Sequence, residues 1–131
     1  MTLRNKATKK LLKYKVNFIN LISNKASLGN CKLGKGIAIF DNTFLGDNVE
    51  IGDQTIIHNN VSIGHDTKIG KNCFIAPGAK ILGKCKIGDN VFLGANCVVV
   101  NNIEIKKNVS VGSNTTVFKN TKPNIRLFQK Y

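Results

Sequence analysis

His65 is the residue of this sequence best suited to acid–base chemistry. Imidazole titrates close to neutral pH, so a histidine can act as a general base under cellular conditions. The neighbouring Asp66 can either orient the ring or simply form a turn. His58 is the only other histidine. Neither histidine falls at a position that the repeat described next would bury, so His65 is a candidate catalytic base, although an isolated surface histidine is the ordinary alternative.

An internal repeat determines which elements must position His65. Aliphatic residues recur every six positions, fifteen times without interruption, from Leu33 to Val117. A second column of mostly small or β-branched residues follows each of them by four positions, while Gly and Asn fill further columns that suit tight corners. Such a hexad predicts an all-β parallel β-helix with one short strand per hexad and three hexads per turn. Five coils would be on the order of 24 Å tall.

The repeat also predicts what lies beside His65. One coil takes eighteen residues, so Gly83 stacks next to His65 at the same corner. Leu82 replaces the usual corner glycine, so this turn departs from its neighbours. A backbone N–H at Gly83, close to a base, is a candidate donor to an oxyanion.

The four cysteines fall in the small inward-facing column. They are Cys31, Cys73, Cys85 and Cys97. We expect buried, reduced thiols that act as small hydrophobic residues. Their spacing lacks the close pairs of a Cys₄ metal site, and nothing indicates the oxidising compartment that disulfides need. We expect no metal site, and no exposed thiol is available to carry an acyl group.

Three segments are expected along the chain. Residues 1–25 form a short basic N-terminal arm, mobile or helical, and an extended entry strand. Residues 26–121 form the β-helix, whose regular coil begins near residue 32 because Leu28 is one place out of register. Residues 122–131 form a C-terminal tail that starts at the repeat-breaking Pro123 and either caps the coil or packs on a neighbour.

The net charge of +13 favours anionic partners. Nine basic residues precede the first acidic residue, Asp41, so the arm could contact a membrane surface peripherally, unless its lysines are only a solvated face. Nucleic acid is not expected, since no recognition module or interleaved aromatic pattern is present. No apolar run could span a bilayer, and no secretory signal is seen, so we expect a cytoplasmic protein.

The hexads resemble the left-handed β-helix acyltransferases, the hexapeptide-repeat family, over about residues 26–121. The stretch 61–100 is similar, more narrowly, to bacterial sialic acid O-acetyltransferases and nucleotide-amino-sugar N-acetyltransferases. The matching motifs are Gly64-His65-Asp66, Ala76-Pro77-Gly78-Ala79, Gly83 and the run from Ile87 to Asn96.

This resemblance implies acetyl transfer from acetyl-CoA to a sugar or nucleotide-sugar hydroxyl or amine in surface polysaccharide or glycoconjugate synthesis. His65 would be the base, Asp66 its polarising partner and the Gly83 amide the donor to the thioester oxygen. It also implies a left-handed coil and a homotrimer with CoA held between neighbouring subunits. The implied CoA contacts are Phe74, Gly94, Ala95, Gly112 and Ser113.

Three departures from the family leave the acceptor sugar, and the choice between O- and N-acetylation, open. The nucleotide-sugar domain that precedes the coil in close relatives is not found, and whether a separate protein supplies it stays open. His58 stands where relatives commonly have Asn. The tail after Pro123 lacks the Gly-Val-Pro-Ala type of ending that shapes many CoA sites.

The competing interpretation is a non-catalytic trimeric β-helix, either a scaffold or a remnant that has lost its substrate site. A carbonic anhydrase of the γ class shares the fold but needs three histidine ligands to zinc. Only two histidines are present, so that activity is excluded.

Overall fold

Each hexad forms a two-residue strand in the computed structural model, which describes residues 3–129. One helix, α1 (Leu3–Leu12), precedes the strands. The strands are β1 (Leu21–Ile22), β2 (Ser27–Leu28), β3 (Lys32–Leu33), β4 (Ala38–Ile39), β5 (Phe44–Leu45), β6 (Glu50–Ile51), β7 (Ile56–Ile57), β8 (Ser62–Ile63), β9 (Lys68–Ile69), β10 (Phe74–Ile75), β11 (Lys80–Ile81), β12 (Lys86–Ile87), β13 (Phe92–Leu93), β14 (Val98–Val99), β15 (Glu104–Ile105), β16 (Ser110–Val111), β17 (Thr116–Val117) and β18 (Arg126–Leu127).

Every third strand pairs in parallel, so the chain winds as a prism with three walls. Sheet A contains β1, β4, β7, β10, β13, β16 and β18; sheet B contains β2, β5, β8, β11, β14 and β17; sheet C contains β3, β6, β9, β12 and β15. The chain turns from A to B, from B to C and from C to A at the AB, BC and CA corners. The expected all-β parallel β-helix is confirmed, with about six turns where about five were expected.

The second residue of each strand points into the prism and forms the core. Ile57, Ile63 and Leu93 are fully buried, as are most members of their column. Cys73, Cys85 and Cys97 are buried and Cys31 is half-buried, all as free thiols, which confirms their expected place in the small inward column. The six-residue aliphatic period therefore determines which side chains form the core, because each strand contributes one inward side chain from the same position in its hexad.

The corners need left-handed backbone, which Asn tolerates better than most residues. At the BC corner Asn48, Asp66, Lys84 and Asn102 all have φ between 54° and 62°. The residue before each of them is therefore held at the outer edge of the prism. His65 occupies one of these edge positions.

The two ends of the coil depart from the 18-residue spacing. β1 pairs with β4, and β2 with β5, at an offset of 17 residues, whereas β3 and later strands follow an offset of 18 up to β17. The shortened step lies between Leu28 and Leu33, which accounts for the irregular register there. After Pro123 the chain returns to sheet A as β18, which pairs with β16. The segment boundaries at residues 25 and 121 remain predictions.

Helix α1 lies against the CA corner, where Arg4 makes polar contacts with the coil. None of its residues is buried. The Arg4 guanidinium donates from Nε (3.0 Å) and Nη2 (2.7 Å) to Oδ1 of Asn72, and from Nη2 to the Asn72 carbonyl (3.0 Å). No helix within residues 3–129 has the length and apolar character needed to cross a bilayer.

Candidate active site

His65 and Asp66 form a hydrogen-bonded pair at the BC corner, where β8 ends. Nδ1 of His65 lies 2.8 Å from Oδ2 of Asp66, while the other carboxylate oxygen accepts a bond from Nδ2 of Asn48 at 3.1 Å. The Asp66 backbone has φ of 57°, so this residue also makes the turn. The two roles that the sequence left open for Asp66 are thus combined in one residue.

The pKa of Asp66 is lowered from its usual value, chiefly because the carboxylate accepts the hydrogen bond from His65 and then the one from Asn48. A carboxyl whose pKa is lower in the folded protein than in the unfolded chain stabilises the fold above the unfolded pKa. That contribution is lost as the pH falls through the lower, folded value. Asp66 is therefore ionised at neutral pH and presents a fixed negative charge to the Nδ1 side of the ring.

Gly83 lies directly against the His65 ring. A Cβ added at Gly83 would be 2.8 Å from Nε2, 3.0 Å from Cε1 and 3.1 Å from Cδ2 of that imidazole. The next amide, that of Lys84, donates to the His65 carbonyl at 2.8 Å and locks the two coils together. The ring nitrogen that does not contact Asp66 therefore faces the Gly83 backbone.

The Gly83 amide donates no hydrogen bond within residues 3–129. Three amides at the same place in other turns, those of Asn30, Lys35 and Lys71, each donate to an aspartate of the following coil at 2.8 to 3.0 Å. The amides of His65 and Asn101, in the same corner column as Gly83, likewise donate no hydrogen bond within residues 3–129. Gly83 is buried, and a buried backbone donor without a partner is uncommon. An amide left unpaired beside a histidine is the arrangement needed to bind a developing negative charge.

Four of the five expected CoA contacts lie together at the AB corner. A Cβ at Gly94 would be 2.5 Å from the Ser113 nitrogen and 2.6 Å from the Gly112 carbonyl carbon, so these backbones are in close contact. The Ala95 carbonyl accepts a hydrogen bond from the Asn114 amide of the next coil at 2.8 Å. Phe74 instead lies on the outer side of sheet A, its ring centre 5.6 Å from that of Phe92.

The structure thus produces two groups of site residues in one chain. His65, Asp66 and Gly83 meet at the BC corner, and the small residues of the AB corner form the second group. All of sheet B separates the two corners. Within a single chain the expected catalytic and CoA-binding residues are therefore not brought together.

The structure also contains an aromatic stack for which the sequence pattern predicts no role. The His58 ring lies 4.7 Å from that of Phe40 at an interplanar angle of 6°, and 5.3 Å from that of Phe74. Its Nδ1 is buried and has no hydrogen-bond partner within residues 3–129. The 18-residue spacing of Phe40 and His58 was the available signal. Within the same residues no three His, Cys, Asp or Glu side chains come together as a metal site would require.

Comparison with known families agrees with the β-helical fold. The profile of the bacterial transferase hexapeptide family (six repeats) matches residues 48–83 and 84–119. More than half of the chain is covered, and the chain therefore belongs to the bacterial hexapeptide-repeat transferases. No curated protein matches the sequence.

Solved structures with this fold include acetyltransferases. PerB from Caulobacter crescentus, in complex with CoA and GDP-perosamine, is 26% identical with a TM-score of 0.89, over 93% of this chain and 59% of PerB. WeeI from Acinetobacter baumannii AYE is 28% identical with a TM-score of 0.87, over 92% and 59%. The acetyltransferase domain of PglB from Neisseria gonorrhoeae FA1090, in complex with acetyl coenzyme A, shares the fold at 17% identity, with a TM-score of 0.92 over 97% and 62%. The chain spans about three fifths of the length of these proteins.

Proposed function

We propose that this chain is an acetyl-CoA-dependent sugar acetyltransferase that transfers the acetyl group directly, with His65 as general base. The observation that carries the proposal is the arrangement of His65, Asp66 and the unpaired Gly83 amide at one corner. Membership of a transferase family and the CoA complexes of PerB and PglB support the reaction class.

The hydrogen bond to Asp66 assigns the two ring nitrogens of His65. Because the Asp66 carboxylate is ionised, it can only accept a hydrogen bond, so the ring proton lies on Nδ1. Nε2 then carries the lone pair that can take a proton from the acceptor. Nε2 is also the ring nitrogen nearest to Gly83. The proposed mechanism requires that the proton acceptor and the Gly83 amide act on the same reacting group.

A direct transfer needs three events in that space. Nε2 of His65 removes a proton as the acceptor oxygen or nitrogen forms its bond to the thioester carbon. The Gly83 N–H donates to the carbonyl oxygen while that oxygen carries negative charge. When the carbon–sulfur bond breaks, the departing thiolate takes the proton from Nε2, and the base is regenerated.

No cysteine of the chain is suited to an acyl-enzyme step. Burial raises the pKa of Cys73 and of Cys97 to about 11, and it also raises the pKa of Cys85 and Cys31. Thiolates are the reactive form, so these groups are poor nucleophiles near neutral pH. Direct attack by the acceptor is the route that the cysteine chemistry favours.

The donor site is proposed to lie between two copies of the chain in a homotrimer. At the AB corner Ala95 and Gly112 are half-buried and Ser113 is exposed, and none of them carries a large side chain, whereas Gly94 is buried beneath the next coil. A copy that sets this corner beside the BC corner of its neighbour would join the two groups of site residues, as a closed ring of three permits. The net positive charge of the chain suits a donor that carries several phosphates.

Sugar or nucleotide-sugar acceptors in surface polysaccharide or glycoconjugate synthesis are the proposed substrates, and the cytoplasm is the proposed location. GDP-perosamine, bound in the PerB structure, is a nucleotide-linked amino sugar, which makes an amine acceptor the first to test. The basic arm could place the enzyme at an anionic membrane surface, since Lys6, Lys9 and Lys10 are exposed.

The test is acetyl-CoA binding by calorimetry, followed by thiol release in the presence of a panel of amino and neutral nucleotide sugars. We expect saturable binding and a thiol release that one class of acceptor stimulates. The test variant is His65→Ala, which should lose the stimulated thiol release. Asn101→Ala is its control, because Asn101 is exposed and lies one coil beyond Gly83 in the same column. This control should behave as the wild type does. Absence of binding at millimolar acetyl-CoA would refute the enzyme and leave the scaffold interpretation.

A further inference from the structure

A cavity of about 340 Å³ lies between helix α1 and the outer side of sheet A. Ile56, Phe74, Val91 and Phe92 provide its apolar surface, and Arg4 of α1 also lines it. Cavities of this size hold small organic ligands in proteins. This one belongs to neither of the two groups of site residues described above, so the proposed reaction does not account for it.

Arg4 brings to the cavity a positive charge that no carboxylate neutralises. It forms no ion pair within residues 3–129. The acidic residues of the CA corner in the two adjacent coils contact Lys71 instead: Oδ2 of Asp53 lies 3.8 Å from the Lys71 Nζ, and Oδ1 of Asp89 accepts a hydrogen bond from the Lys71 amide at 2.8 Å. Burial lowers the pKa of the Arg4 guanidinium from its usual value, because the charged form has lost part of its water.

The side-chain groups that remain free at the cavity are hydrogen-bond donors. Arg4 uses Nε and Nη2 on the coil, and its Nη1 donates to nothing within residues 3–129. Oδ1 of Asn72 accepts two bonds from Arg4, while Oδ1 of Asn90 accepts one from Asn72 at 2.7 Å and one from Asn5 at 3.1 Å. Because an amide oxygen has two lone pairs, both side-chain acceptors among the lining residues are filled.

This chemistry selects one class of ligand. A carboxylate accepts hydrogen bonds, brings no donor of its own and forms charge-assisted bonds with a guanidinium. An amide, an ammonium group or a protonated acid would bring a donor for which the lining side chains have no acceptor. The apolar surface around the donors gains free energy when an apolar group covers it. A carboxylate attached to a small apolar body meets both requirements.

We propose that this cavity binds a monocarboxylate with a small apolar body, and that the bound ligand holds α1 against the coil. The carboxylate would lie at Nη1 of Arg4, and the apolar body would lie against Ile56 and Phe92 of sheet A. Because Arg4 belongs to α1, the ligand would join the helix to the sheet. A ligand that binds only the docked arrangement stabilises it by mass action. The inference is independent of acetyl transfer.

The experiment titrates the full chain with benzoate, benzamide and acetate and follows the backbone amide resonances by NMR. Benzamide keeps the shape of benzoate but lacks its charge and adds a donor, whereas acetate keeps the charge and lacks the apolar ring. We expect saturable benzoate binding that is on the order of tenfold tighter than that of either probe, with shifts at α1, Asn72 and Asn90. At a benzoate concentration ten times its Kd, hydrogen exchange of the α1 amides should slow about tenfold.

Loss of Arg4 would also release α1, so the cavity is altered at Phe92 instead. Phe92→Ala removes one apolar wall and should weaken benzoate binding about fivefold or more, because less apolar surface is covered. Phe44→Ala is the matched control. Phe44 is also the first residue of its strand, on sheet B, and is 50% exposed where Phe92 is 42% exposed. This control should bind benzoate as the wild type does, and thermal unfolding shows whether both variants keep the coil.

Several results would overturn the inference. Equal affinities for benzoate and benzamide would show that the Arg4 charge selects nothing, and unchanged benzoate binding in Phe92→Ala would place the ligand elsewhere. Shifts that spread over the exposed lysines without saturating would mean that benzoate responds only to the net charge of +13. Absence of benzoate binding would also refute the site. None of these outcomes bears on acetyl-CoA binding, so the acetyltransferase proposal is judged separately.

Discussion

The substitution Gly83→Ala, which adds one methyl group, should lower the catalytic rate without lowering the stability of the fold. Gly83 has no positive φ, so alanine fits its backbone, and replacing glycine at such a position usually stabilises a protein by about 0.4–1 kcal/mol through the unfolded chain. The new Cβ would nevertheless lie 2.8 Å from Nε2 of His65, where an ordinary contact begins near 3.4 Å. The ring must therefore withdraw by about 0.6 Å.

We expect this displacement of the ring to slow the reaction rather than to destabilise the fold. The His65 side chain is 59% exposed and can move toward solvent with little loss of packing, but its 2.8 Å bond to Asp66 and its alignment with the Gly83 amide would both be disturbed. Misplacement of a catalytic group by about 1 Å can cost on the order of 10²-fold in rate. We expect Gly83→Ala to lower kcat/KM by about 10²-fold while the free energy of unfolding stays within about 1 kcal/mol of the wild type.

The assay is steady-state thiol release with the best acceptor, run beside chemical denaturation of the same preparations. Asn101→Ala, in the same corner column, controls for changes at the outer edge of the prism. If Gly83→Ala retained wild-type kcat/KM, the close contact between Gly83 and the His65 ring would have no catalytic meaning. A large loss of stability would show instead that the methyl group acts on the fold.

Three further predictions concern the charge at the site, the thiols and the helix. Asp66→Asn keeps the turn but removes the charge behind His65, so we expect kcat to fall on the order of 10²-fold. The free energy of unfolding should also decline less below pH 4 than in the wild type. The reason is that the wild type loses the stabilisation from ionised Asp66, whose pKa is lowered in the fold, as that carboxylate becomes protonated. Cys73 and Cys97, whose pKa burial raises to about 11, should resist iodoacetamide at pH 7.5 in native protein and react after unfolding, as mass spectrometry would show. Arg4→Ala should release α1, so that hydrogen exchange of the α1 amides accelerates while the melting temperature of the coil changes little.

Each of these predictions has a result that contradicts it. Wild-type turnover in Asp66→Asn, with an unchanged acid transition, would mean that Asp66 serves only as a turn residue. Rapid alkylation of Cys73 in the native protein would show that the coil opens readily. Unchanged exchange in Arg4→Ala would mean that contacts other than the Arg4 hydrogen bonds hold the helix, and Lys6→Ala, on an exposed position of α1, is the matched control.

The coil could be predicted from the sequence because its determinants are local and periodic. A residue such as Ile57 is buried because it is the second residue of its hexad, and its partners lie at fixed distances along the chain. The same 18-residue period predicts that Gly83 lies beside His65, as it does in the structure. Periodicity converts position in sequence directly into position in space.

Features without that period could not be predicted. Arg4 binds Asn72 across 68 residues, and no pattern in the arm indicates this contact. Phe128 reaches Gly112 because Val111 pairs with Leu127 at an offset of 16, after the break at Pro123. The pairing of His65 with Asp66 depends on side-chain rotamers, which a repeat does not specify. A contact that occurs only once in the molecule leaves no repeating pattern in the sequence from which it could be predicted.

If His65 is the base in a direct transfer, His65→Ala should lose turnover but keep its affinity for acetyl-CoA. We expect this variant to bind acetyl-CoA nearly as tightly as the wild type, since no proposed CoA contact is lost. Its kcat should fall by roughly 10²–10⁴-fold, the usual contribution of a general base. A His65→Ala protein that binds acetyl-CoA and transfers the acetyl group at the wild-type rate would show that His65 is not the base.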